Sequence, residues 1–288
     1  MTTSQNKKVS VIIPNYNYAR FIKKRIESVL KQIYPVFELI ILDDFSTDNS
    51  DEIIKKTIEK VQAKYPKTKI SYIRNEKNSG KAILQWQKGL ELAKGDYIWI
   101  AEADDLSNKH FLEEAMKGFE DKEVVLSYTE SMVINSKGLM LAPNFRFSRD
   151  KEKSGHFKKS YIKNGEDEIK EIMAIRCTIP NVSAVVFKND KRLAGYLEEA
   201  AKFKQVGDWY LYLKILEDGK ISYNRKACNK FRIHGGSVTR KSRENRSHFD
   251  EIRQLHKMLK KQYTLDEKII GFMDEEEMRV SIEHGIIR

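Results

Sequence analysis

The sequence has few cysteines and prolines and no long hydrophobic run. Of its 288 residues only two are cysteine and five are proline. Apolar runs such as Val11–Ile13 and Leu39–Leu42 are far shorter than the ~20 residues that cross a bilayer. Cys177 and Cys228 provide neither a disulfide framework nor a metal-site spacing, and predict reduced thiols in a cytosolic protein. The polar residues 1–8 do not have the shape of a signal peptide.

The phosphate-binding loops of two large nucleotide-binding classes are also missing. No G-x-G-x-x-G follows the first predicted strand, and no G-x-x-x-x-G-K-[ST] occurs in the chain. These absences argue against a dehydrogenase and against a P-loop NTPase. If a diphosphate binds here, a metal and basic side chains must hold it. A repeat array is excluded as well, because no period of 20 to 50 residues recurs.

Positive charge is abundant and unevenly distributed. The formal net charge is +11, and residues 225–261 hold 12 basic against three acidic residues. Such a block suggests an anionic partner for one face, whether nucleic acid, anionic lipid or a phosphorylated substrate. A solvated helix surface is the alternative. With 40% apolar and 33% charged residues, the chain has enough material for one large α/β domain or two small ones.

Strand and helix patterns alternate through the first half of the chain. Strands are predicted at 9–14, 37–42, 69–74, 96–101 and 123–128, and helices begin near 21, 50, 82 and 109. This alternation predicts an α/β fold with a mainly parallel sheet and flanking helices. Ligands of such sheets lie beyond the carboxyl ends of the strands.

Acidic residues follow two of these strands. Asp43 and Asp44 end the second strand, and Glu102, Asp104 and Asp105 end the fourth. Two acidic turns on one edge repel each other unless a cation or a ligand's donors lie between them. Carboxylate oxygens suit Mg²⁺ or Mn²⁺, which bridge proteins to substrate phosphates. The alternative is that Asp is simply a good turn residue.

Six segments in order resemble the family 2 glycosyltransferases of the GT-A fold. They are residues 9–17, 38–48, 78–98, 101–105, 206–209 and 231–237, which read VSVIIPNYN, ELIILDDFSTD, NSGKAILQWQKGLELAKGDYI, AEADD, VGDW and FRIHGGS. The resemblance covers roughly residues 9–240. It implies a GT-A (Rossmann-like) fold and an inverting, metal-dependent transfer of a sugar from a UDP-sugar donor.

The resemblance also implies roles for individual residues on the donor side. Pro14 and Tyr16 would line the base pocket, and Asp44 would accept the uracil N3–H. Lys81 would lie near the base or the diphosphate, and Asp104 would face the ribose or the metal.

Further roles concern the cation and the reaction. Asp105 would bind Mn²⁺ or Mg²⁺, and His234, with Arg232 and Ser237, would close over the metal and diphosphate. Asp208 would be the general base, because an inverting transfer needs a base opposite the leaving diphosphate.

The acceptor side is less defined. Trp209 could offer a ring face to a sugar or could be a core aromatic. A strand is predicted to return to the sheet at 181–187, and Asn181 at its start could face the acceptor. Two residues depart from the family pattern: Glu102 stands where Asp is frequent, and Gly207 stands where Glu commonly precedes the base.

The domain organisation follows from these patterns. Residues 1–240 are predicted as the GT-A domain, with a nucleotide-binding half at 1–130 and an acceptor-binding half at 131–240 that includes a basic, loop-rich stretch at 139–180. Residues 241–288 are predicted as a helical extension. Its basic amphipathic helix at 247–261 suits packing on the domain, which is favoured, or peripheral contact with an anionic membrane. The chain is expected to be a fragment of a longer protein.

The leading hypothesis is an enzyme that transfers a sugar to a hydroxyl of a surface polysaccharide or other glycan, with a glycan or lipid-linked acceptor. The alternatives are a catalytically silent module that binds a nucleotide-sugar and a domain of a larger synthase. Nucleic acid is not expected as a partner, because the aromatics of the basic block are not interleaved as a stacking platform requires. A sugar nucleotidyltransferase is disfavoured because no Gly-rich loop follows the first strand. The expected location is the cytoplasm, with the inner face of the membrane as the alternative.

Overall fold

A computed structural model describes residues 7–145, 155–235 and 247–283, which form one ten-stranded sheet with helices on both faces. The strands are β1 Val9–Asn15, β2 Glu38–Asp43, β3 Lys69–Arg74, β4 Tyr97–Ile100, β5 Leu106–Ser107, β6 Val124–Asn135, β7 Met140–Ala142, β8 Tyr161–Asn164, β9 Val185–Lys188 and β10 Lys220–Ile233. The α-helices are α1 Ala19–Leu30, α2 Ser50–Gln62, α3 Ala82–Leu92, α4 Phe111–Met116, α5 Gly165–Glu168, α6 Leu193–Ala200, α7 Gly207–Leu216, α8 Ser247–Gln262 and α9 Glu267–Glu283.

The first strands are buried on both faces of the sheet, as parallel strands covered by helices require. Along β1, Ile12 faces a core cluster that includes α3, whereas its neighbours Val11 and Ile13 face the opposite cluster, which includes α1. Alternate residues therefore enter two separate cores. The apolar runs that predicted these strands are the runs that fill both cores.

The strands follow the order β3-β2-β1-β4-β9-β6-β10-β5. The first four are parallel to one another, and β10 is parallel to β6. Strand β9 lies antiparallel between β4 and β6 and joins the two parallel groups. The predicted α/β fold with a mainly parallel sheet and flanking helices is confirmed.

The predicted strands of the first half lie within about two residues of the observed ones, except that β6 runs on to Asn135. This strand crosses the predicted division at residue 130, so the two expected halves of the domain share one sheet.

Two expectations for the middle of the chain are corrected. The stretch at 139–180, expected to be loop-rich, contains β7, β8, α5 and a π-helix at Ile169–Met173 whose apolar side chains are buried in the core. The strand expected at 181–187 is shorter, because Val182–Ala184 form a 3₁₀ turn and only Val185–Lys188 pair with neighbouring strands. The amide of Ala184 closes this turn by donating to the carbonyl of Asn181.

The helical extension packs on the domain. Four apolar residues of α8 are buried in the same core cluster as Trp209: Phe249, Ile252, Leu255 and Leu259. The apolar stripe that could have faced a membrane is therefore covered by protein. Among the described helices, none is both long enough and apolar enough to cross a bilayer.

Two glycines, Gly165 in α5 and Gly195 in α6, give a matched test of how closely the helices pack on their neighbours. A Cβ on Gly165 would lie 2.1 Å from the carbonyl oxygen of Leu216 and 2.4 Å from that of Gly219, whereas one on Gly195 would meet nothing within 4 Å. Gly165→Ala should lower the free energy of unfolding by about 1–3 kcal/mol through overpacking. Gly195→Ala should raise it by about 0.5–1 kcal/mol, because Ala favours the helix more than Gly does. Chemical denaturation of both variants measures the difference, and equal effects would contradict this account of residue 165.

Candidate active site

The carboxyl ends of the parallel strands bring the predicted acidic residues to one edge of the sheet. Asp43 ends β2 and Asp44 follows it, while Glu102, Asp104 and Asp105 follow β4, which lies on the other side of β1. Strand β10 ends at the same turn, because the amide of Arg232 donates to Asp105.

Asp105 is the residue that joins the second half of the sheet to this turn. Its side chain is buried, and each carboxylate oxygen accepts a hydrogen bond from a distant part of the chain. Oδ1 accepts from the amide of Arg232 at 2.8 Å, and Oδ2 accepts from Nδ2 of Asn181 at 2.5 Å. Oδ1 of Asn181 in turn accepts from Asn229 and Ser131. Asp105 thus connects β4, the turn before β9, and β10.

Asp104 and His234 form the more accessible pair at this edge. Oδ2 of Asp104 lies 3.0 Å from Nε2 of His234, with side-chain exposures of 15% and 8%. Two residues from the start of α1 surround the imidazole: Tyr18 meets it edge-on at 5.7 Å, and Phe21 lies 5.1 Å from it between ring centres. The guanidinium of Arg232 lies over the Phe21 ring at 4.7 Å and donates through Nε to the carbonyl of Asp104.

Negative charge is crowded at the turn. Burial, followed by the charge of Asp104, raises the pKa of Glu102 to about 8 and that of Asp105 to about 7. The opposing charge comes from Arg25, a fully buried residue of α1 that lies over the Trp99 ring at 5.1 Å. Burial lowers the pKa of its guanidinium to about 10, against the opposing effect of the acidic residues. The turn therefore favours an additional cation.

The residues present fit a divalent cation. Within residues 7–145, 155–235 and 247–283, no group of three or more His, Cys, Asp or Glu side chains is arranged to hold a metal by itself. Mg²⁺ is ordinarily held by one or two protein ligands together with substrate phosphates, so Asp104 and His234 suffice with a diphosphate. Both oxygens of Asp105 already accept hydrogen bonds, which makes Asp104 the better candidate ligand.

Asp208 lies in the first turn of α7 and is half-buried. Its Oδ1 accepts a hydrogen bond from the amide of Trp209 at 2.8 Å. Burial raises the pKa of this carboxyl to about 6, close to the value that suits a base at neutral pH. The phenol of Tyr212, one turn along α7, is also buried, and burial followed by the charge of Asp208 raises its pKa.

At the opposite end of the edge, Asp44 is held by several donors. Its Oδ1 accepts from Asn75 at 2.7 Å and from Gln85 at 2.9 Å, and its Oδ2 accepts from the hydroxyl of Ser79 at 2.7 Å. The carboxylate is buried, and the loop at 75–79 is tied to the end of β2 through it. The predicted contact with a uracil N3–H stays a prediction.

Two loops beside Asp44 are interlocked and carry exposed aromatic rings. The amide of Asp44 donates to the carbonyl of Asn15 at 2.8 Å, and the amide of Asn17 donates to the Ser46 hydroxyl at 2.9 Å. Between these bonds lie Tyr16, 44% exposed, and Phe45, 38% exposed.

Phe45 has an unusual backbone. Its φ of +62° lies in the left-handed region, which costs a non-glycine residue about 1–2 kcal/mol. One face of its ring contacts the guanidinium of Arg74, 5.0 Å from the ring centre, and Arg74 is paired with Asp43. An exposed cation–π contact of this kind contributes about 0.5–1 kcal/mol, less than the backbone conformation costs.

The other predicted residues have these positions. Pro14 is buried at the end of β1, and Nζ of Lys81 donates to the carbonyl of Ala201, the residue after α6. Asn181 is buried against Asp105, and its contacts named above are with the protein itself.

Trp209 is 3% exposed and donates to the carbonyl of Met173, so it is a core aromatic in this structure. Ser237 lies outside the described residues.

Gly207, which departs from the family pattern, has a steric explanation. A Cβ at this position would lie 2.7 Å from the carbonyl oxygen of Ala200 at the end of α6. The close approach of α6 and α7 therefore excludes a larger residue before Asp208 unless the backbone moves.

Sequence reasoning missed four residues of the site: Tyr18, Phe21, Arg25 and Phe45. Arg25 had a usable signal, because it stands among Ile22, Ile26 and Val29 on the apolar face of α1. A charged residue at such a position requires a buried partner. Phe45 had none, since its backbone conformation is not visible in the sequence.

Comparisons with known proteins agree with this fold. The sequence model described as glycosyl transferase family 2 matches residues 10–178, more than half of the chain. The chain therefore belongs to glycosyltransferase family 2, as the resemblance predicted.

Individual relatives cover different parts of the chain. A putative teichuronic acid biosynthesis glycosyltransferase, TuaG of Bacillus subtilis, is 34% identical over 46% of this chain and 50% of its own length. The chondroitin synthase of Pasteurella multocida is 26% identical over 90% of this chain but only 24% of its own length. The chain thus spans half of the first relative and about a quarter of the second.

Solved structures show the same fold at low identity. Residues 1–349 of TarS from S. aureus superpose with a TM-score of 0.65 and 19% identity, over 97% of this chain and 74% of that one. The mannosyltransferase PcManGT from Pyrobaculum calidifontis, solved with GDP-Man and Mn²⁺, gives 0.65 and 17% identity over 98% of this chain and 73% of that one. The predicted GT-A fold is confirmed.

Replacing Asp105 tests its joining role. Asp105→Ala leaves the Arg232 amide and the Asn181 amide group without their acceptor, which should lower the free energy of unfolding by about 2–4 kcal/mol. Asp104→Ala is the matched control and should change it by less than about 1 kcal/mol, because its side chain is partly exposed. Chemical denaturation in EDTA measures the free energy of unfolding of both variants. Equal losses would contradict a special structural role for Asp105.

Proposed function

We propose that the chain catalyses the inverting transfer of a sugar from a UDP-sugar to a hydroxyl group of a surface polysaccharide or other glycan. The observation that carries this proposal is the half-buried carboxyl of Asp208, whose pKa burial raises to about 6, together with the acidic turn that holds Asp104 and His234. A base and an acidic turn that can hold a cation are what a metal-dependent inverting transfer requires. TarS, whose fold the chain shares, has been solved in complex with UDP-GlcNAc, which supports a UDP-linked donor.

Asp208 accepts the proton in this reaction. As the acceptor oxygen forms a bond to the anomeric carbon, the bond from that carbon to the diphosphate breaks, and UDP leaves with the bonding electrons. The hydroxyl proton passes to Asp208 and then to solvent. A positioned base of this kind contributes ~10²–10⁴-fold to the rate.

Asp104 and His234 hold Mn²⁺ or Mg²⁺ in this proposal, and the cation stabilises the charge on the leaving diphosphate when bound. Arg232 keeps this pair in place through its bond to the Asp104 carbonyl and its position over Phe21. Asp105, predicted as the cation ligand, orients Arg232 and Asn181. Pro14, Tyr16, Asp44 and Lys81 remain the proposed donor-side residues.

A polysaccharide acceptor is supported by the relatives. The Bacillus subtilis protein is named for teichuronic acid biosynthesis, and the Pasteurella multocida protein is a chondroitin synthase. The second match covers most of this chain and a quarter of that protein, which favours a second candidate, namely that the chain acts as one domain of a larger synthase. A cytoplasmic location, at or near the inner face of the membrane, is part of the proposal.

Donor binding should depend on metal. Calorimetric titration of UDP in Mn²⁺ should show binding that weakens at least about tenfold in EDTA or on Asp104→Ala, because an uncompensated diphosphate meets the acidic turn. Glu91→Ala, which removes an exposed carboxyl of α3, is the control and should bind UDP like the wild type. Binding of GDP in place of UDP would indicate a GDP-sugar as the donor. Binding of neither would remove the transferase proposal.

Asp208→Asn should abolish turnover without affecting donor binding. We expect kcat to fall by ~10²–10⁴-fold while the UDP dissociation constant stays within about twofold. For the wild type, kcat/KM should fall about tenfold per pH unit below about pH 6, because the base must be unprotonated. Asp250→Asn, a substitution in the first turn of α8, is the matched control. Unimpaired turnover in Asp208→Asn would favour another base. Donor binding without any turnover in the wild type would favour the silent module.

A further inference from the structure

Phe45 combines three features that protein packing does not explain. It has a left-handed backbone conformation, more than a third of its side chain is exposed, and one face of its ring lies against the guanidinium of Arg74. The cation–π contact with Arg74 contributes less stabilising free energy than the left-handed backbone of Phe45 costs. Strained residues that persist at a sheet edge are frequently used in binding.

The position of the ring indicates what it binds. Phe45 directly follows Asp44, and the hydrogen bonds from Asp44 to Asn15 and from Asn17 to Ser46 tie its loop to the neighbouring loop that carries Tyr16. Two exposed aromatic side chains thus stand on the two loops next to the residue proposed to read the nucleobase. A flat aromatic base is a ligand that such rings recognise, because every base presents a π-face for stacking.

We infer that Phe45 stacks on the nucleobase of the donor and contributes to affinity at the nucleotide site. The inference rests on the proposed function. Arg74 lies over one face of the ring, and its ion pair with Asp43 anchors it to the end of β2. The left-handed residue stands two positions beyond that end, in the turn that follows β2.

Substitutions at Phe45 separate stacking from structural support. Phe45→Gly removes the ring and relieves the backbone, Phe45→Leu keeps the bulk without the ring, and Phe45→Trp enlarges the ring. By calorimetry in Mn²⁺, UDP should bind about five- to tenfold more weakly to the Gly and Leu variants and at least as tightly to the Trp variant. The melting temperature of Phe45→Gly should equal or exceed that of the wild type. In Phe45→Gly the affinity for UDP should therefore fall while the melting temperature is kept or raised.

Two controls distinguish a loss of base stacking from other causes of weaker UDP binding. Leu92→Ala removes an equally exposed apolar side chain, 38% exposed, from the end of α3 and should leave UDP binding unchanged. Inorganic pyrophosphate, which has no base, should bind all Phe45 variants alike. If the wild type binds UDP and both the Gly and Leu variants stay within twofold of it, the inference is wrong and the proposed function stands. If the wild type binds neither UDP nor GDP, both fail.

Discussion

The buried carboxylate of Asp105 joins the turn after β4 to the turn before β9 and to the end of β10. It accepts hydrogen bonds from residues 76 and 127 positions away along the chain. Burying an ionised carboxylate is costly, and two direct donors together with the fully buried Arg25 compensate only part of that cost, because the pKa of Asp105 is still raised to about 7. The arrangement of Arg232, His234 and Asp104 depends on this interior contact. The acidic turn is therefore a structural joint as well as the proposed cation site.

The sequence was informative where the physical signal is local. Buried parallel strands require continuous apolar runs, so Val9–Asn15 and Glu38–Asp43 could be recognised, and their carboxyl ends placed Asp44 and Asp104 at one edge. The resemblance to the family supplied Asp208, which no local pattern would have identified. Its raised pKa comes from burial by distant parts of the chain, which the sequence does not show.

The features that could not be predicted depend on contacts between distant segments. The π-helix at Ile169–Met173 is stabilised by packing in the core, and the conformation of Phe45 is set by loops that meet across β1 and β2. Trp209 had the chemistry of a sugar platform, but the core formed by α8 covers it. Gly207 shows the same limitation, since only the nearby carbonyl of Ala200 explains the absence of a side chain there.

The position of β9 has a consequence for biosynthesis. Strand β4 is covered on one side by β1, but its other side pairs only with Val185–Lys188, far later in the chain. While the ribosome has delivered the chain only as far as residue 178, where the family match ends, the nascent domain has every acidic turn and an unpaired strand edge. Exposed edges of this kind recruit other chains. The order of synthesis thus leaves β4 without its second partner until Val185–Lys188 emerge, and β6 without its partner β10 until residue 233.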